Sequence, residues 1–299
     1  MLQGILRGIG LGKFTPSFSL AAYKNGKKVF SYSYPDFLVY DCASITKPLV
    51  SFVILKKFVD LNLDVREIFP FFPYSLKVKE FATHISGLIP WLPLYLYPED
   101  YLVSIVEKGF KGERGKKVYS CLNYIALKYV AEKLTGKKFK TLARDFLRDY
   151  PGCFLPPLKC VNVAPTERGN LFEYNLAKKF VKNPNVKKFR LNKPIKGQTH
   201  DLNSHYCDGI AGNSGLFANV FGVSDLMLDF LKLEDFYLPL FETEDYFYHF
   251  GFTGTGIAVH KKKDAFVVFL SNRICPEVKD IPFSEVRHKL FAEIFRLIL

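Results

Sequence analysis

The chain lacks the features that would place it in several large classes of protein. No apolar run is both uncharged and long enough to span a bilayer, so no membrane-spanning helix is expected. Its six cysteines show no pairing rhythm, and a chain of 299 residues does not need a disulfide framework. Cys153 and Cys160 stand too far apart for a Cys-x-x-Cys site, and the six histidines are dispersed, so neither a metal nor another cofactor is implied. Acidic residues are outnumbered, 29 against 42 Lys and Arg, which leaves a formal charge of +13. Basic pairs such as Lys116-Lys117, Lys178-Lys179 and Lys187-Lys188 fall in unrelated segments, which suits a solvated surface better than a nucleic-acid face. The N-terminal MLQGILRGIGLGKF has Arg7 and Lys13 interrupting a short apolar run and no small-residue cleavage site. It reads as an amphipathic helix rather than an export signal, and the cytoplasm is the expected compartment. Glutamine is almost absent while Lys, Phe and Tyr abound, a pattern compatible with a thermophile.

What is present is a chain 48% hydrophobic and 24% charged, enough to bury a large core. Ser44-Ile45-Thr46-Lys47 sets a hydroxyl and an amine one turn apart at the head of PLVSFVILKKFVDLNLDV, a run apolar on nearly every side. Such a run reads as a buried helix, with Pro48 in its first turn, where a missing N–H costs little. On one helix face, Lys47 can take the Ser44 proton while the helix N-terminus offers N–H groups to an oxyanion. The bland alternative for Ser44 is an ordinary helix-capping serine. Further along, Tyr119-Ser120-Cys121 leads into LNYIALKYVAEKLTG, a helix expected to stop at Gly136. His249 to Gly256, HFGFTGTG, reads as the opening of an edge strand.

Residues 16–34 read as a hairpin around Asn25-Gly26, and 254–273 as a second around Lys261 to Asp264. A last helix is expected from Pro282-Phe283-Ser284, with Ser284 as its cap. Strands at both ends with helices between predict an α/β chain of the α+β type. One antiparallel sheet would be built from both termini (about 1–43 and 241–299), with a largely helical insertion at about 44–240, all within a single catalytic domain 1–299. Between 151 and 210 regular periodicity fails, as in a functional or covering loop.

In this order the segments resemble the serine β-lactamase/penicillin-binding-protein superfamily, in particular its class C β-lactamase-like esterases and peptidases. FATHISGLIPWLPLY at 81–95 is similar to that family's "LLTHTSGLP", and VYSCLNYIALKYVAEKLTG to its "YSDLNYILLG". APTE at 164–167, GQTHDLN at 197–203 and GIAGNSGLF at 209–217 match further landmarks, so the resemblance spans nearly the whole chain. It implies a β-lactamase/transpeptidase-like fold and a metal-free serine hydrolase. Ser44 would be the nucleophile, Lys47 and Tyr119 would share its proton, and the N–H groups of Ser44 and Phe252 would form the oxyanion hole.

Two departures bear on the substrate. Cys121 stands where the family commonly has Asn or Asp and is a weak hydrogen-bonder, a poor anchor for a substrate amide. His249 stands where the "KTG" strand motif has lysine, a fixed cation for a substrate carboxylate, and Phe250 replaces its threonine. Histidine is mostly neutral at pH 7, which favours carboxylic esters over β-lactams or D-alanyl peptides. Gly251 is expected to let the strand come close to the substrate. Trp91, in LIPWLPLYLY, reads either as an apolar wall for an acyl group or as packing beneath a loop. Thr83, His84, Ser86 and Gly87 read as a structural turn, Cys42 as packing, and His200-Asp201 as a loop-orienting pair. An esterase is the favoured reading. A D-amino-acid-specific peptidase or weak β-lactamase is the nearest alternative, and a catalytically silent ligand- or partner-binding protein is the rival from another class. The expected partner is a small ester or amide, and the oligomeric state is left open.

Overall fold

The structure, a computed structural model, describes residues 2–159 and 162–299. Cys160 lies outside them, and the other five cysteines are free thiols. No helix among the described residues is long and apolar enough to cross a membrane.

Among the described residues nine strands follow in chain order: β1 (Phe18–Lys24), β2 (Lys27–Tyr34), β3 (Tyr40–Asp41), β4 (Cys153–Phe154), β5 (Phe217–Ala218), β6 (Phe241–Glu242), β7 (Tyr246–Phe250), β8 (Gly256–His260) and β9 (Ala265–Ser271). The main sheet runs β2-β1-β9-β8-β7-β6 and is antiparallel throughout, so both ends of the chain build it, as expected. Asn25 and Gly26 both take positive φ, the twist a two-residue hairpin needs. A small second sheet, β3-β5-β4, ties the segment leading to Ser44 to the middle of the chain.

The period-2 alternation of β1 and β9 explains the two cores. Ala21, Tyr23, Phe266, Val268 and Leu270 face the helical part, while Leu20, Ala22, Val267 and Phe269 face the terminal helices. Both faces are covered, so β9 reads as a continuous apolar run. Phe269 and Phe291, each fully buried, stabilise that second layer by roughly 2–3 kcal/mol apiece. The helix Phe283–Ile298 and the short N-terminal helix Leu2–Ile9 cover this face.

Three local expectations are corrected. The terminal helix starts at Phe283 with Pro282 at its cap position, so Ser284 lies inside it and caps nothing. The helix after Lys47 ends at Phe58, where Val59 turns extended, and Asp64 caps a separate short helix, Val65–Ile68. His249 lies near the end of β7 rather than at the opening of a strand; residues 251–255 are the turn between β7 and β8.

Candidate active site

Ser44 stands in a tight 3-10 turn, Ala43–Ile45, that leads directly into a wide π-helical turn, Lys47–Phe52. Ala43 is held at φ 47°, a left-handed conformation that a side chain adopts only when its surroundings enforce it. The enforcement is visible. Asp41, buried, accepts the Ala43 N–H at 2.9 Å on one carboxylate oxygen and the His200 N–H at 2.8 Å on the other. Thr46 donates to the Ala43 carbonyl at 2.6 Å, and Ile45, Leu49 and Val50 are fully buried beneath the turn. The Ser44 segment is thus clamped from both sides.

The structure brings Ser44, Lys47 and Tyr119 together. Lys47 Nζ lies 2.8 Å from Ser44 Oγ and 2.8 Å from the Tyr119 hydroxyl, which itself donates to Ser44 Oγ at 2.7 Å. A further Lys47 N–H goes to the Asn213 carbonyl at 2.9 Å, and Cys121 Sγ lies 3.6 Å from Nζ. Lys47 is fully buried, and this burial lowers its pKa below the ordinary lysine value. Burial pushes the Tyr119 phenol well above its ordinary value, with Cys121 adding to the rise. The two shifts leave the proton on the phenol and make the amine the easier base. As a neutral amine, Lys47 satisfies Asn213 and Tyr119 with its two N–H groups and turns its lone pair to the Ser44 hydroxyl.

Tyr119 is held by the turn that precedes it. Ser120 caps the helix Cys121–Thr135, which stops at Gly136 in a left-handed conformation as expected. His84 Nδ1 accepts the Ser120 N–H at 3.2 Å and contacts Asn123 Nδ2 at 3.0 Å, and Ser86 donates to Asn123 at 2.5 Å. The expected structural turn at 83–87 is therefore the seat of the Tyr119 segment.

The strand end closes the other side. A Cβ on Gly251 would run into Thr255 Oγ1 and come within 2.8 Å of the Cys42 carbonyl, so the glycine allows close approach to the Ser44 segment itself. Thr253 and Thr255 hydroxyls bond the Asp41 and Cys42 carbonyls at 2.7 and 2.8 Å, fastening the two segments together. The Phe252 N–H takes no partner among the described residues, which leaves it free for an oxyanion. His249 is 1% exposed, with neither ring nitrogen hydrogen-bonded. Burial, then the Lys47 charge, holds it well below the ordinary histidine pKa, so it is a neutral imidazole.

Ser44, Tyr119, Cys121, His249 and Phe252 line a cavity of about 500 Å³ that also includes Pro90, Trp91, Phe172 and Asp201. The two readings of 88–97 divide along the segment: Trp91 faces the cavity, while Leu92, Leu94 and Tyr95 pack in the core. His200 pairs with Glu167 at 2.7 Å and stacks on Phe252, orienting the loop as expected. Among the described residues no cluster of His, Cys, Asp or Glu is arranged to hold a metal. Sequence reasoning missed Asp41 and Asn213. Asn213 lies inside the quoted GIAGNSGLF, but its contribution is a backbone carbonyl, which residue type does not announce. Asp41 carries the signal of a carboxylate two residues before a turn N–H.

A family model described as Beta-lactamase matches residues 11–148, the part that contains Ser44, Lys47 and Tyr119. Among curated proteins none matches the chain in sequence. Solved structures share its fold. A β-lactamase/D-alanine carboxypeptidase from Yersinia pestis, complexed with citrate, is 15% identical with a TM-score of 0.68, covering 99% of this chain and 98% of that one. The D-amino acid amidase from Ochrobactrum anthropi SV3, complexed with D-phenylalanine, is 14% identical with a TM-score of 0.67, covering 99% and 100%. An octameric penicillin-binding protein homologue from Pyrococcus abyssi is 15% identical with a TM-score of 0.65, covering 99% and 77%. The chain thus has a β-lactamase/penicillin-binding-protein-like fold, and its residues 11–148 are similar to the Beta-lactamase family.

Proposed function

We propose that the chain is a serine hydrolase that works through an acyl-enzyme on Ser44, with carboxylic esters as its substrates. The observation that carries this reading is the closed triangle of Ser44 Oγ, Lys47 Nζ and the Tyr119 hydroxyl, every edge within hydrogen-bond distance. Ser44 Oγ attacks the ester carbonyl as Lys47 takes its proton. The developing oxyanion faces the N–H groups of Ser44 and Phe252. Collapse breaks the ester C–O bond, and the alcohol leaves with the proton returned through Lys47 and Tyr119. Water then enters, gives its proton to the same pair and frees the acid. Esters are favoured because position 249 offers a neutral imidazole in place of a fixed cation, and Cys121 offers little to an amide.

A fluorescent fluorophosphonate tests this directly. Labelling of the wild type but not of Ser44→Ala, together with turnover of short-chain p-nitrophenyl esters, is the expected result. An unlabelled, folded wild type across pH 6 to 9 would move the silent binding-protein reading ahead.

A further inference from the structure

The charge of this chain is not evenly spread. Residues 168–199 carry nine Lys or Arg and a single acid, Glu173, a net +8 within the +13 of the whole chain. The basic pairs Lys178-Lys179 and Lys187-Lys188, which from sequence alone read as parts of unrelated segments, both fall here. Glu173 is buried, and burial followed by the Asp201 charge pushes its carboxyl well above the ordinary value, so it offsets little of this charge. Lys178, Lys179, Lys182, Lys187 and Lys193 are exposed, and no ion pair among the described residues involves them.

The segment is a closed loop beside the cavity, which Phe172 and Leu176 help to line. Its ends are tied where Arg168 bridges Pro194 and the Gly169 N–H reaches the Lys193 carbonyl at 2.7 Å. Its inner side is anchored. Ala177 and Phe189 pack with Tyr95 and Leu202, and Arg190 donates to the Thr199 and His200 carbonyls at 2.8 and 3.0 Å. Its outer side is not anchored: Leu171, Phe172, Phe180 and Val186 are between 41% and 54% exposed. Phe172 still rests on Phe252, ring centres 5.1 Å apart, and Phe180 on Trp91 at 5.7 Å. Phe252 and Trp91 both line the cavity, so the exposed rings stand at its rim. A loop that is only a solvated, lysine-rich cover has no use for four large apolar side chains turned to water.

Cations mixed with exposed apolar side chains suit one kind of partner. A nucleic acid would use the lysines and could stack on the phenylalanines, but it offers nothing to Leu171 or Val186. A second copy of this face would bring two strongly cationic loops together. An anionic lipid layer takes both sets at once, lysines at its headgroups and apolar side chains below them, the two signals that stable attachment needs. We propose that the outer side of residues 168–199 docks this protein on an anionic lipid surface, with Leu171, Phe172, Phe180 and Val186 entering the layer. Docked so, the rim of the cavity meets the lipid. The docking does not depend on the hydrolase reading.

The test mixes the full chain with vesicles of phosphatidylcholine alone, or of phosphatidylcholine with phosphatidylglycerol, and measures bound protein by sedimentation. Binding to the anionic vesicles is expected to be at least about tenfold tighter, and to weaken as salt rises. Lys178→Gln, Lys179→Gln and Lys182→Gln together should weaken it by roughly 100-fold, each lysine near such a surface contributing about fivefold. Removing three charges outside the loop, by Lys133→Gln, Lys137→Gln and Lys138→Gln, should cost far less. Leu171→Ser with Phe180→Ser should weaken binding by roughly tenfold or more. Equal binding to both vesicles, equal loss in the two lysine triples, or no loss in the serine variant overturns the proposal. So does duplex DNA bound more tightly than the anionic vesicles, or a dimer in the ultracentrifuge that the serine variant dissociates. Trp91, the only tryptophan, gives a reading that needs no variant. Its contact with Phe180 puts it at the docked rim, so brominated lipid is expected to quench its fluorescence. Bound protein with Trp91 unquenched has docked by another face, and the proposal fails. Vesicle binding is read on the resting protein, so a failure of fluorophosphonate labelling would sink the hydrolase reading and leave this one standing.

Discussion

The two walls of the cavity treat their polar groups in opposite ways. On the nucleophile wall every polar atom of Ser44, Lys47 and Tyr119 is engaged by another member of the set or by the Asn213 carbonyl. On the strand wall His249 and the Arg287 Nε stand buried and unpartnered. Burying polar groups without partners is unfavourable, so a fold keeps such a wall only where something else completes it. The contrast teaches a division of labour. The closed network is machinery that needs no ligand to hold its geometry. The open one presents buried, unpartnered nitrogens on residues that line the cavity.

The largest effects are expected on the closed wall. Ser44→Ala should abolish fluorophosphonate labelling and lower ester kcat/KM by roughly 10³-fold or more, measured against a wild-type control of equal thermal stability. Lys47→Ala should lose roughly 10²–10⁴-fold. If either variant kept a rate within tenfold of the wild type, the closed network would be structural and the comparison between the walls would fail.

Tyr119→Phe comes next, at roughly 10²-fold, because the phenol relays a proton but is not the first base. The pH profile separates the two roles. Burial lowers Lys47, and only its neutral form accepts the serine proton, so kcat/KM should rise with pH through a pKa below the ordinary lysine value and then level off. The phenol is shifted upward, so a limb that titrates above pH 10 would reassign the base to Tyr119. Tyr119→Phe is expected to keep the Lys47 limb while lowering the plateau.

The open wall gives a smaller and more pointed effect. The Lys47 charge lowers His249, and such couplings are mutual. His249→Lys places a second cation beside Lys47 and should move the acid limb of the profile to lower pH, about tenfold in rate on that limb for each unit moved. Melting curves taken alongside show whether the fold tolerates the substitution. A limb that stays in place in a folded variant would mean that the strand wall does not reach the base electrostatically.

Much of the fold was legible because it rests on local signals. Asn25-Gly26 marked the first hairpin, Gly136 the end of a helix, and Ser-x-x-Lys with Tyr119 the closed network. The errors have a common physical origin. Ser284 looked like a cap because capping residues also occur inside helices, and the apolar run after Lys47 looked continuous because the core buries it irrespective of the break at Val59. His249 looked like a strand opening because the turn at 251–255 is set by tertiary bonds from Thr253, Thr255 and Arg287, which no periodicity records. Arg287 itself was invisible for the same reason. A lone arginine on a terminal helix shows nothing of its position until the sheet brings the helix behind β7.

Cys121 sits where the two walls meet, and the smallest effect is expected there. Its sulfur is 3.6 Å from Lys47 Nζ and 3.8 Å from the Tyr119 hydroxyl, distances that suit a weak bond. Its influence on Lys47 runs against that of burial, favouring the charged amine. Cys121→Ala removes that influence, so Lys47 should lose its proton more readily and the acid limb should move slightly down. Turnover of a neutral ester should stay within about threefold of wild type, since no strong hydrogen bond is removed. Measured with 3-carbamoylphenyl acetate across pH 5 to 10, a loss of tenfold or more would put the thiol in contact with substrate. Cys121 would then belong to the strand wall. A shift of the limb alone would leave it on the catalytic side, as a minor weight on the lysine.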